Sequence, residues 1–136
     1  MKKFLSSFYW IARLVAAIIL LQTLYFKFSG SEESVYIFST LGMEPWGRIA
    51  TGIFEMIAAL MLLVNRTAWM GAALALGLMA GAIAMHLTKL GIVVRDDGGY
   101  LFFLAIIVTL CSAYVLLKNK LKILTLLRTG RLADAN

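Results

Sequence analysis

The hydrophobic residues of this chain form four long runs, separated by short polar segments. The runs cover about residues 8–28, 48–64, 68–92 and 99–117. A helix needs roughly 20 mostly apolar residues to cross a bilayer, whereas the strands of a membrane barrel have about 10 residues of alternating polarity. The pattern therefore predicts an all-α integral membrane protein, a four-helix bundle whose antiparallel spans run up and down.

The connecting segments predict how the spans are joined. Only residues 65–67 separate the second span from the third, so these two spans must be antiparallel neighbours. The first connection is longer, and within it Ser29 and Glu32 have capping-box spacing ahead of an apolar stretch. We expect a short amphipathic helix there, on the outer rim between spans one and two, within a single transmembrane domain over residues 1–136.

The composition excludes the main soluble classes of protein. Hydrophobic residues make up 62% of the 136 residues, charged residues make up 15%, and the mean hydropathy is +0.89. Soluble domains carry about 25% charged residues, so an ordinary cytosolic enzyme and a disordered chain are both excluded. The single cysteine, Cys111, excludes an internal disulfide and a cysteine-based metal cage.

The distribution of charge predicts the orientation, because basic residues near span ends mark the cytoplasmic face. If both termini are cytoplasmic, most basic residues lie inside: Lys2, Lys3, Arg13, Arg66, Lys118, Lys120, Lys122, Arg128 and Arg131. Most acidic residues then fall on the outer half: Glu32, Glu33, Glu44, Glu55, Asp96 and Asp97. The net charge of +6 is therefore a topology signal, and we expect no nucleic-acid partner. The basic tail, residues 118–136, either continues the last helix or lies on the anionic leaflet.

Ionisable residues inside the spans are the main functional signal. An ionisable side chain there costs at least ~2.5 kcal/mol on insertion scales, so it usually faces the bundle interior and has a partner. Helical spacing aligns Arg13, Thr23 and Lys27 on one face of span one, and His86 with Lys89 on one face of span three. We therefore predict a polar binding cluster in the outer half of the bundle: Lys27, Arg48, Glu55, His86 and Lys89. No catalytic residue is assigned.

Each member of this cluster also has a structural interpretation. Glu55 either neutralises Lys27 or Arg48 in a structural ion pair, or it faces a substrate or handles protons. The three basic residues lie near the outer boundary, where long side chains reach back to water. His86 is the only histidine, so it is either a satisfied buried imidazole or a ligand or proton relay. We expect no metal site, because one histidine cannot form a multi-histidine site.

Two further features are compatible with several roles. Gly77 and Gly81 have the small-xxx-small spacing that lets helix backbones approach closely, so they either close the bundle or drive a homodimer. On the fourth span, only Thr109, Cys111 and Ser112 offer polar groups to the cluster, and we interpret Cys111 as an inert core residue.

Several segments together resemble a known family. In their order and spacing, five segments are similar to those of DoxX-like membrane proteins. They are Leu21-Gln22-Thr23-Leu24-Tyr25-Phe26-Lys27-Phe28-Ser29-Gly30, Gly42-Met43-Glu44-Pro45, Gly52-x-x-Glu55, His86-Leu87-Thr88 and Asp97-Gly98-Gly99. The resemblance covers roughly residues 13–117. It implies a four-helix bundle of the bacterial cytoplasmic (inner) membrane, in a family named after a membrane subunit of a thiosulfate:quinone oxidoreductase. Its candidate functional positions are Lys27, Glu55 and His86.

Three functional hypotheses follow. The first is a quinone- or redox-linked membrane subunit, in which Lys27 or His86 binds a quinone carbonyl and Glu55 handles protons. Such a subunit has no catalytic activity on its own and needs a soluble oxidoreductase partner that carries flavin or sulfur chemistry. The second is a non-enzymatic interaction or assembly factor that is embedded in the lipid bilayer. The third is a pathway for a small solute or protons, although no inverted repeat supports alternating access.

Overall fold

A computed structural model describes residues 2–130, with side chains from residue 7 onward, and it confirms the predicted all-α membrane bundle. Its helices are α1 (Lys2–Ser29), α2 (Glu32–Thr40), α3 (Trp46–Leu63), α4 (Ala68–Met85), α5 (Tyr100–Lys118) and α6 (Lys120–Thr129). A π-helical turn, His86–Leu90, extends α4. Four segments are long and apolar enough to cross a membrane: Ser7–Ser29, Trp46–Leu63, Ala68–Leu90 and Tyr100–Lys118. Lys2, Lys3 and Arg131, which the charge argument used, lie outside the described side chains.

The four spans form a ring around a core of small residues. Helix α1 packs against α3 and α5, and α4 packs against the same two helices. Nine alanines of the described residues fill the interior: Ala12, Ala16, Ala17, Ala58, Ala59, Ala68, Ala72, Ala75 and Ala105. Large apolar side chains such as Ile18, Phe103 and Leu110 point outward instead and are at least 60% exposed. Small residues inside and large apolar residues outside are typical of helices that pack within lipid, where close van der Waals contact drives association.

Helices α3 and α4 approach each other closely near the 65–67 turn that joins them. A methyl group on Gly71 would lie 2.7 Å from the Leu62 nitrogen and 2.8 Å from the Ala58 oxygen, so only glycine fits against this backbone. Gly77 and Gly81, in contrast, are exposed, and added methyl groups there would meet no atom within 4 Å. The expectation that these two glycines close the bundle was therefore wrong, whereas their role in a homodimer stays a prediction.

Arg13 fastens α1 to the end of α3. Its side chain is only 1% exposed. The charge pattern suggested a basic residue on the cytoplasmic surface, and the burial of Arg13 shows that it does not lie there. Nε donates to the Leu62 carbonyl at 2.7 Å and Nη1 donates to Asn65 Oδ1 at 2.9 Å. The guanidinium carbon also lies 3.9 Å from the centre of the Trp10 ring. Arg13 thus places its positive charge at the negative end of the α3 dipole and satisfies a terminal carbonyl.

Helix α2 is the predicted short helix between the first two spans. It begins one residue after Ser31, whose side chain accepts a hydrogen bond from the Ser34 nitrogen at 3.3 Å. The cap expected at Ser29 was wrong, because α1 continues through that residue. Ser34 and Phe38 lie on the buried face of α2, so this helix covers one end of the bundle. We call this end the α2 end, and the opposite end the α6 end.

The basic tail does not simply continue the last span. Helix α5 ends at Lys118. Its C-cap residue, Asn119, has a side-chain nitrogen that donates to the Tyr9 hydroxyl at 2.9 Å and to the Val115 carbonyl at 2.7 Å. Helix α6 then starts separately and buries no residue. Leu121 and Leu127 are more than 70% exposed on it. The break at Asn119 shows that the described part of the tail is not one continuous helix with α5. Its location on a membrane surface stays a prediction.

Candidate ligand-binding cavity

A cavity of about 420 Å³ lies at the α2 end of the bundle. Residues from all four spans, from α2 and from the π-helical turn line it, and most of the wall is apolar, as at Leu20, Phe38, Met79 and Val108. This volume is within the ~300–1,000 Å³ of ordinary small-molecule sites, which combine an apolar wall with a few placed polar groups. Three of those polar groups, from Lys27, Glu55 and His86, belong to the predicted cluster.

Lys27 and Glu55 form an ion pair across two spans. Lys27 Nζ lies 3.0 Å from Glu55 Oε2, and the side chains are 16% and 5% exposed. The Thr23 hydroxyl lies 3.3 Å from the same carboxylate oxygen, one helical turn before Lys27. A buried charge pair gains from further hydrogen bonds, but the single hydroxyl hydrogen of Thr23 is shared between Glu55 and the closer Leu20 carbonyl at 2.8 Å.

His86 reaches the cavity from the π-helical turn. Its Nδ1 lies 2.9 Å from the carbonyl oxygen of Gly91, and its ring packs edge-to-face on Phe102 with 5.6 Å between centroids. Gly91 has a φ of 81°, a conformation that a residue with a side chain rarely adopts. The imidazole is 6% exposed, so its orientation is set by the turn and by α5.

The other two predicted cluster residues lie elsewhere. Arg48 donates to Glu44, with 2.9 Å between Nη2 and Oε1, and to the backbone carbonyl of Lys27, so it braces the top of α1 without lining the cavity. Lys89 is exposed. The wider π-helical turn shifts Lys89 away from the face it would share with His86 in a regular α-helix.

An aspartate beside the cavity anchors the start of α5. Asp97 Oδ1 accepts hydrogen bonds from the Val94 and Gly99 nitrogens at 3.0 and 2.8 Å, and Oδ2 accepts from Leu101 at 3.3 Å. Burial raises the pKa of this carboxyl, but the three backbone hydrogen bonds and the nearby His86 outweigh it, so the net pKa is lowered. Asp97 thus caps a helix whose N-cap residue, Gly99, has no side chain to do so.

Sequence reasoning missed part of the cavity wall. Glu33 and Ser34 of α2, Thr51 of α3 and Tyr100 of α5 all line the cavity. Thr109, Cys111 and Ser112, which were expected to face the cluster, do not line it. The amphipathic pattern of α2 was the available signal for the first two residues. Tyr100 gave none, because it lies at a span end where an aromatic residue also suits the membrane interface.

The cavity reaches the outside of the bundle within the membrane-spanning segments. Gln22 and Phe26 of α1 and Gly77 and Gly81 of α4 line the cavity, and all four are exposed. They belong to the spans Ser7–Ser29 and Ala68–Leu90. Exposed residues of two membrane-spanning helices therefore contribute to the cavity wall.

Together, the fold and the cavity define a small multi-pass helical membrane protein with a polar, ligand-sized site between its spans. Comparison with known families agrees with this description. The DoxX family model matches residues 8–88, more than half of the chain, and the protein belongs to the DoxX family. No curated protein and no solved structure shows significant similarity to the chain.

Proposed function

We propose that this protein is a quinone-linked membrane subunit that binds the head group of a lipid-soluble quinone in the cavity. The observation that carries the proposal is the cavity of about 420 Å³, in which Lys27, Glu55 and His86 meet a mostly apolar wall. An apolar ring with polar oxygens and a long hydrocarbon tail matches such a site, because the wall includes exposed residues of two spans, past which the tail would extend into the bilayer.

The residues present fit a quinone head group. A bound quinone supplies two-electron, two-proton redox chemistry. Lys27 Nζ is held 3.0 Å from Glu55 Oε2 and keeps hydrogen atoms free to donate to a ligand oxygen. Glu55 and His86 line the same cavity, as does Glu33 of α2, and these groups can hold or release protons there. The apolar wall excludes water and so strengthens each of these interactions.

We propose that a soluble oxidoreductase supplies or removes the electrons. The cavity wall contains one histidine and no cysteine, and the described residues form no cluster of three or more metal-binding side chains. The chain therefore supplies the quinone site and the membrane anchor, and the partner supplies the second redox centre. In this arrangement the chain has no catalytic activity on its own.

We further propose that the protein lies in the bacterial inner membrane with both termini in the cytoplasm. Arg66 in the turn after α3 and the basic residues of α6 lie at the α6 end, whereas Glu32, Glu44 and Asp97 lie at the α2 end. This separation supports the positive-inside orientation. Reporter fusions at the C-terminus test it: a cytoplasmic reporter should be active there, and an external one inactive.

Quinone content of the purified protein tests the proposed function. Protein extracted in a mild detergent should carry close to one quinone per chain after solvent extraction and chromatography. Ala82→Leu, which fills the cavity from α4, should lose it, while Ala80→Leu on the exposed side of the same helix should retain it. Quinone at bulk-lipid level in all three proteins contradicts the proposal. A stoichiometric protein partner without quinone favours the assembly-factor hypothesis instead.

A further inference from the structure

The hydrogen bond of His86 determines which ring nitrogen carries the hydrogen atom. Nδ1 lies 2.9 Å from the Gly91 carbonyl oxygen. A carbonyl oxygen can only accept a hydrogen bond, so Nδ1 must carry the hydrogen atom. In the neutral imidazole, Nε2 then has a free lone pair, and His86 lines the cavity. We infer that the cavity recognises its ligand through a hydroxyl group that donates to His86 Nε2, and therefore prefers a lipophilic hydroquinone or phenol over the corresponding dicarbonyl ring.

The fold itself imposes this tautomer. The π-helical turn His86–Leu90 brings Gly91 back towards the ring of the residue that begins the turn. Gly91 adopts a φ of 81°, which only glycine tolerates readily. Phe102 packs edge-to-face on the imidazole from α5. The ring is therefore held between a fixed acceptor and a fixed aromatic side chain, and the hydrogen atom stays on Nδ1.

A second acceptor in the cavity points the same way. An ionised carboxylate has about four lone-pair positions, and at Glu55 the neighbours Lys27 and Thr23 both approach Oε2. Among the charged and imidazole groups of the cavity wall, His86, Glu55 and Glu33 offer acceptors and Lys27 offers the cation, while the hydroxyl and amide side chains of the wall can both donate and accept. A quinone brings only acceptor oxygens, whereas each hydroxyl of a hydroquinone can donate to an acceptor and also accept from Lys27. The inference rests on the proposed function and names the reduced, hydroxyl-bearing form as the preferred ligand.

Nitrogen NMR of the single histidine tests the inference directly. Full-length protein labelled with ¹⁵N-histidine, in lipid nanodiscs, gives ring signals from His86 alone, because the chain has one histidine. Without ligand, Nδ1 should be protonated and Nε2 unprotonated. Decylubiquinol should shift the Nε2 signal and bind about tenfold tighter than decylubiquinone, the ratio expected for one hydrogen bond to a buried acceptor. The dimethyl ether of decylubiquinol, which cannot donate, should bind no tighter than the quinone.

The outcomes separate this inference from the proposed function. A proton on Nε2, or equal binding of decylubiquinol and decylubiquinone, overturns the inference while quinone binding stands. Absence of binding by both compounds overturns the inference and the proposed function together. Replacing His86 by Phe should abolish the tenfold preference, and Thr88→Ala, on the exposed side of the same turn, should retain it. If His86→Phe does not fold, the titration of the wild-type protein alone decides.

Discussion

Lys27 Nζ on the first span lies 3.0 Å from Glu55 Oε2 on the second span, inside the cavity that both residues line. Breaking a fully buried ion pair by removing one partner costs about 3 to 5 kcal/mol. Lys27 keeps 16% of its side chain exposed, so its charge can shift towards the surface when Glu55 is neutral. The Lys27–Glu55 ion pair can therefore take part in ligand binding as well as in stabilising the fold.

Glu55→Gln should abolish quinone retention while the helical content and the folded bundle persist. The expected destabilisation is below the 3 to 5 kcal/mol of a fully buried pair, because Lys27 retains access to water. Circular dichroism and denaturant unfolding in detergent, with quinone content on the same samples, measure both quantities. The double variant Lys27→Met/Glu55→Leu is the matched control: it should recover stability and still lack quinone. Loss of folding in Glu55→Gln would make the pair structural.

Replacing Arg13 should weaken the joint between α1 and α3. Arg13→Met leaves the Leu62 carbonyl and Asn65 without their donor and removes the contact with Trp10. Arg13→Lys keeps the charge but cannot reach both acceptors with a planar fork. Each variant should cost about 1 to 3 kcal/mol of unfolding free energy. Arg66→Gln, in the exposed adjacent turn, is the control and should change stability by less than about 0.5 kcal/mol.

Adding one methyl group should separate the tight helix contact from the open one. Gly71→Ala places a carbon 2.7 Å from the Leu62 backbone nitrogen, so α3 and α4 must move apart. We expect a loss of about 1 to 3 kcal/mol in unfolding free energy, as for other overpacked positions. Gly77→Ala meets no atom within 4 Å and should be neutral or slightly stabilising. Equal effects of both substitutions would contradict the helix arrangement.

Acid should remove the contribution of Asp97. Its folded-state pKa is lowered by backbone hydrogen bonds from Val94, Gly99 and Leu101, so the carboxylate stabilises the fold at pH values above its unfolded pKa of about 3.9. That contribution is lost as the pH falls further, through the lower folded pKa. The stability difference between wild type and Asp97→Asn should therefore be largest near neutral pH and shrink below about pH 4.

Asp96→Asn is the control for this prediction. Asp96 is exposed and has a positive φ of 62°, a conformation that asparagine tolerates well. This variant should follow the wild-type melting temperature across the same pH range. A pH-independent difference between wild type and Asp97→Asn would show that the charge of the carboxylate is unimportant for the cap.

The sequence predicted the features that depend on hydrophobicity and regular helical spacing. The four spans and the short helix α2 follow from apolar run lengths and from the 3.6-residue period, whereas the sequence left open whether Glu55 pairs with Lys27 or with Arg48. The features that it missed depend on local backbone geometry or on tertiary contacts. The π-helical turn changes the helix face on which Lys89 lies. The sequence around Arg13 does not distinguish a buried arginine from a basic residue at the membrane surface.

The glycines of α4 show the same limit of prediction from sequence, since residue spacing alone did not identify the close helix contact. Gly77 and Gly81 have the spacing of a helix-packing motif, yet the close contact forms at Gly71, which has the same small-xxx-small spacing with Ala75. Which face of α4 meets α3 depends on the whole packed interior, since mean hydropathy is high all around that helix. The cap of α2 moved from Ser29 to Ser31 because α1 extends farther than its apolar run.

Native mass spectrometry of the protein released gently from its own membrane tests the central claim most directly. The wild-type chain should retain a mass that matches one lipid-soluble quinone. The folded Lys27→Met/Glu55→Leu variant should lose that mass, and Ala80→Leu should keep it. Detection of phospholipids alone on the wild-type protein, or the same quinone mass on the double variant, would contradict a quinone site built on Lys27 and Glu55.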